Sequence, residues 1–148
     1  MAQFTFLPAA ETPDIADDVR VLFEELAETL THEQRAYSGE CRPALDVFET
    51  DRAVEIVVDV AGVPREAIRI LFRGGLVLIA GEKAPPRGDA AEAFHLVERE
   101  FGRFARAVRL SGAFDVAHAR ASLRNGELTI VLPKQQDRRG QAHRMRIE

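Results

Sequence analysis

Cysteine is almost absent: Cys41 is the only one in the chain, so no disulfide can close within it. That usage suits a reducing compartment, and a bridge between two chains is the one disulfide left open. No apolar run approaches the roughly 20 residues that a membrane helix needs, so no membrane span is expected. The first residues, Met1-Ala-Gln-Phe-Thr-Phe-Leu-Pro8, show no basic stretch followed by an apolar core, which points away from export and toward the cytoplasm. The chain has no phosphate-cradling G-x-x-x-x-G-K-[ST] loop and no G-x-S-x-G nucleophile turn. His32, His95, His118 and His143 share no ligand spacing with one another or with Cys41, so neither a metal nor another cofactor is expected. Asp46, Asp59 and Asp115 fall near strand ends or turns, where solvation or capping outweighs acid–base work. Lysine is scarce as well, with only Lys83 and Lys134, and the other basic positions are arginine. The net charge of −4 argues against a nucleic-acid partner. Catalysis is not expected.

What is present suits one domain with tails, since 148 residues bury a single core well and two poorly. Charge is unevenly placed. Residues 11–33 carry Glu11, Asp14, Asp17, Asp18, Glu24, Glu25, Glu28 and Glu33 against Arg20 alone, whereas residues 134–148 are basic, with four arginines and Lys134. The two ends are therefore able to attract each other, within a chain or between chains. Thr12-Pro13-Asp14 opens a helix, with a hydroxyl to cap, proline at the first helical position and acidic residues in the first turn. Ile15, Val19, Leu22, Phe23, Leu26 and Leu30 then recur at steps of three and four, predicting an amphipathic helix over about 13–37 that stops near Gly39. Its apolar stripe needs a partner surface.

From Pro43 the period changes from helical to two. Strands are expected at 44–49, 53–60, 68–72, 76–81, 94–100, 104–110, 119–123 and 127–132, with a long Pro- and Gly-containing loop at 83–93. Asn125-Gly126 between the last two is the strongest short hairpin signal, because a type I′ turn needs positive φ at both central residues. Pro133 then withholds an N–H and ends the ladder. Short strands with regular turns predict an all-β antiparallel sandwich.

Four ordered motifs, and the hairpin that follows them, resemble the small heat shock proteins of the Hsp20/α-crystallin type, in their bacterial and plant-like form. They are Arg42-Pro43-Ala44-Leu45-Asp46-Val47; Asp59-Val60-Ala61-Gly62-Val63; Gly81-Glu82-Lys83; Glu98-Arg99-x-x-Gly102-x-Phe104-x-Arg106; and Ala121-x-x-x-Asn125-Gly126-x-Leu128-x-Ile130-x-Leu132-Pro133-Lys134. Ala61 stands where the family's turn has proline, Ser111 where proline is frequent, and Glu127 where valine is common. The resemblance implies an immunoglobulin-like α-crystallin domain over 42–134, an N-terminal arm over 1–41 and a flexible C-terminal extension over 135–148.

It also implies function: an ATP-independent holdase that binds unfolding client proteins and assembles with itself as a dimer and higher homo-oligomer. Phe4, Phe6, Leu7, Ile15, Val19, Leu22, Phe23, Leu26 and Leu30 would pack within the oligomer or capture clients. Met145 and Ile147, standing for the family's I-x-[IV], would dock in a groove between Ile68, Ile70 and Phe72 on one strand and Ala119, Ala121 and Leu123 on another; the plain alternative is a disordered tail. Phe94, His95 and Val97 would cross to pair with a partner's strand around Leu45 and Val47, unless they form an ordinary exposed hairpin. Arg106 would meet a carboxylate across subunits or remain a solvated arginine. A monomeric p23-like adaptor sandwich is the competing reading.

Overall fold

The computed structural model describes residues 4–7, 13–29, 40–85 and 93–135. Among these residues eight strands and one α-helix follow in chain order: β1 Phe4–Leu7, α1 Pro13–Thr29, β2 Leu45–Glu49, β3 Ala53–Asp59, β4 Ile68–Arg73, β5 Leu76–Lys83, β6 Gly102–Leu110, β7 Arg120–Arg124 and β8 Glu127–Pro133. All pair antiparallel in two sheets, ordered β1-β6-β5-β4 and β2-β3-β8-β7. The expected sandwich is therefore present, and the helix begins at Pro13 as its capping pattern predicts. It is described as far as Thr29, and the remainder of the expected 13–37 span lies outside the described residues.

The Asn125-Gly126 turn takes the conformation its residues favour, with φ of 51° and 77°. It sets Leu123 opposite Leu128 and Ala121 opposite Ile130, which drops Leu128, Ile130 and Leu132 into the core at 4%, 3% and 2% exposure. The Val60 N–H donates to the Gly126 carbonyl at 2.7 Å, tying this hairpin to the turn after β3. Val54, Ile56, Val58 and Val60 complete the inner face of the second sheet.

Two expectations are corrected. Residues 94–100 form no strand, because a strand is a pairing and this segment finds no ladder among the described residues. The eighth strand is instead β1, which pairs with β6 from Phe4↔Leu110 to Leu7↔Ala107. Four residues between a start and a proline offered too little alternation to be read as a strand.

Candidate binding surfaces

Successive strand residues point to opposite faces. On β4, Ile68, Ile70 and Phe72 share the face toward the second sheet, and Arg69, Leu71 and Arg73 share the outer one. Ile68 and Ile70 line an open groove of about 650 Å³ whose other wall is Ala121, Ser122, Leu123 and Leu128, with Pro64, Arg65 and Glu66 at one end. Four of the six expected groove residues meet there. Phe72 does not line it, because its ring packs edge-on against Phe114, with centroids 6.4 Å apart. Ala119 lies at the end of the Val116–His118 turn, packed against the core. At the groove's mouth the Arg65 guanidinium bonds Glu66, whose own backbone N–H and Arg65 hold its carboxyl below the usual range. Pro64, Arg65 and Glu66 do not follow from strand alternation because they belong to the turn before β4, whereas Leu128 enters the lining from the inward face of β8.

A second surface lies at β2, which among the described residues is an edge strand of its sheet. Leu45 and Val47 are half-buried against the core, while Phe48 is 46% exposed. Nearby in sequence to β6, Phe94, Leu96 and Val97 stand 66%, 74% and 60% exposed, and His95 is exposed beside them. Leu96 and Phe48 were missed because the alternation selected their neighbours. Arg106, on β6, donates to the Pro43 carbonyl just before β2. Its burial first, and the neighbouring Arg42 charge second, lower its pKa. The Arg42 N–H donates to Glu100 at 3.3 Å, which anchors the end of the exposed segment beside β2. Burial likewise pushes the Cys41 thiol up, against the opposing charge of Lys83, and its Sγ donates to the Gly102 carbonyl at 3.5 Å. Cys41 is therefore a neutral thiol near neutral pH.

The third surface is covered. Ile15, Leu22 and Leu26 of α1 are 2%, 5% and 1% exposed, with Val19 and Phe23 packed beside them. The stripe thus lands on this chain's own sheet, over the outer face of β4 and β5. Arg73 bonds Asp18 at 2.7 Å, Arg69 bonds the Thr29 hydroxyl at 2.9 Å and faces Glu25 at 3.9 Å, and Arg103 lies 5.2 Å over the Phe23 ring. These arginines were missed, although Arg69 and Arg73 interrupt an apolar strand at one face's spacing. Phe4, Phe6 and Leu7 belong to β1, described by its backbone pairing alone. Leu30, Met145 and Ile147 lie outside the described residues.

Among the described residues no three His, Cys, Asp or Glu side chains gather as a metal site, and no helix is long and apolar enough to cross a membrane.

Known proteins share this architecture. Residues 46–148 match the Hsp20/alpha crystallin family. The chain is 37% identical over 92 residues to spore protein SP21 of Stigmatella aurantiaca, covering 62% of this chain and 54% of that one. It is 36% identical over 91 residues to the 16.9 kDa class I heat shock protein 1 of Triticum aestivum, covering 61% and 60%. It thus spans little more than half the length of these curated relatives. Among solved structures, heat shock protein 16.0 from Schizosaccharomyces pombe superposes with a TM-score of 0.63 at 27% identity, over 73% of this chain and 99% of that one. A small heat-shock protein from Xylella fastidiosa gives 0.62 at 25%, over 73% and 97%. With its sandwich, its hairpin and a family match across most of its length, the chain belongs to the Hsp20/alpha crystallin family of small heat shock proteins.

Proposed function

We propose that this chain is an ATP-independent holdase, active in the cytoplasm, that binds unfolding proteins through reversible apolar contact. The observation that carries the reading is the exposed run of Phe94, Leu96 and Val97, each at least 60% exposed, in a segment whose end at Glu100 is bonded to the Arg42 N–H just before the edge strand β2. Aggregation of an unfolding client is driven by burial of apolar area at roughly 25 cal/mol per Å². A surface that offers the same burial reversibly, with backbone groups free to pair, competes with it.

The same surfaces support self-assembly. Residues 94–97 of one chain would pair with β2 of another around Leu45 and Val47, and Arg106, drawn from water beside Arg42, would gain a carboxylate from the partner. The groove between Ile68, Ile70, Ala121 and Leu123 suits an apolar pair such as Met145 and Ile147, with methionine's extra rotamers weakening the fit. The N-terminal stripe would take part when released from its sheet.

The test is light scattering of a heat-labile client protein with the full chain and no nucleotide. Aggregation is expected to be suppressed at near-equimolar chain. Undiminished aggregation would overturn the proposal, and a monomer mass in native mass spectrometry would favour an adaptor sandwich instead.

A further inference from the structure

The outer face of the β4-β5-β6 sheet is a largely apolar floor inside a mainly cationic frame, with one buried carboxylate, Glu82 of β5, level with Arg103 of β6. Register places Leu71 beside Leu78 and Ala107, and Arg69 beside Ala80 and Ala105. Leu78, Ala80 and Ala107 are 1%, 0% and 3% exposed. The alanines keep the floor shallow, so a helix can approach closely. Around it stand Arg69 and Arg73 on β4 and Arg103 on β6, and each of these three contacts α1. The helix that lies there carries six carboxylates between Pro13 and Thr29 against Arg20 alone. Shape and charge are thus matched on both sides.

Resting on the holdase reading above, we infer that this framed floor is a client site selective for acidic amphipathic helical segments, with α1 as its built-in competing occupant. An amphipathic stripe supplies the burial. Carboxylates flanking the stripe meet the arginines, and basic segments are repelled. Tethering gives α1 a high effective concentration, so it holds the site until heat or a more abundant segment displaces it. The preference opposes the chain's own net charge of −4, under which a diffuse electrostatic effect would favour basic segments. A preference for acidic ones therefore reports the local frame.

Two dye-labelled peptides test this by fluorescence anisotropy against the full chain at low salt. One has the Pro13–Thr29 sequence; the other has its carboxylates replaced by lysine. In Leu22→Asp/Leu26→Asp chain, whose own helix is loosened, the acidic peptide is expected to bind about tenfold or more tightly than to wild type and than the lysine peptide does. Adding Arg69→Glu/Arg73→Glu is expected to reverse the preference. Equal binding of the two peptides, or a preference that survives the charge reversal, would overturn the inference. Should the double aspartate chain not fold, Leu26→Ala loosens the same contact by deleting methyl groups, and the same outcomes decide. Client light scattering on the same samples separates the two claims: suppression without peptide selectivity sinks only the selective site, whereas selectivity without suppression sinks the holdase reading.

Discussion

The two sheets bury their strands differently. β3, in the middle of one, alternates half-buried and fully buried residues from Ala53 to Val58, so one face meets the core and the other meets water. β5, in the middle of the other, is buried at every position from Leu76 to Glu82. One of its faces meets the opposite sheet, and its outer face meets α1. A strand's period thus reports how many of its faces are covered. Strict alternation means one covered face, and a continuous apolar run demands a second cover. In this chain that cover is a helix some fifty residues earlier, and its stripe and the run on β5 are two halves of one contact.

The sharpest way to break this contrast is to shorten one outer-face side chain on each sheet. Leu78→Ala empties a site that is 1% exposed, and loss of about 2–5 kcal/mol is expected, as for other fully buried leucines. Val57→Ala, on the half-buried outer face of β3, is expected to cost about 1 kcal/mol or less. Urea unfolding of both variants checks the pair. Equal losses would mean that α1 gives β5 no more cover than solvent gives β3.

The second test sits on the inner face of β5. A methyl group at Gly81 would lie 2.2 Å from the Phe104 Cζ and 2.7 Å from the Ala67 carbonyl oxygen. Gly81→Ala is therefore expected to destabilise by about 1–3 kcal/mol through overpacking. The double variant Gly81→Ala/Phe104→Leu should recover only part of this, because the backbone oxygen of Ala67 cannot move aside as a ring can. Full recovery in urea unfolding would place the whole conflict on the ring.

How much of this was legible follows from the range of the forces involved. The hairpin at Asn125-Gly126, the inward sets of β3 and β8 and the start of α1 depend on a residue and its near neighbours, and they read directly from sequence. Four of the six groove residues followed from alternation and the family resemblance; Phe72 did not, because Phe114, distant in sequence, claims its ring. Residues 94–100 carry strand-like composition without a pairing strand among the described residues. β1 is the reverse, a short segment made a strand by the open edge of β6. The destination of the α1 stripe was equally hidden, since a stripe announces that it needs a partner without naming one.

The smallest expected effect concerns what holds α1 in register. Asp18 is 16% exposed in its side chain and Arg73 69%, with 2.7 Å between them. An ion pair with one partner so exposed is screened and usually contributes about 1 kcal/mol or less. Asp18→Asn keeps the shape and removes the charge, so its loss should shrink as salt rises, whereas the loss from Leu78→Ala should not. A double-mutant cycle with Arg73→Gln isolates the pair. A coupling that vanishes at high salt assigns the ion pair to steering the helix and the apolar floor to holding it. A coupling as large as the Leu78→Ala loss and insensitive to salt would reverse that division, making α1 a charge-clasped cover and not an apolar one.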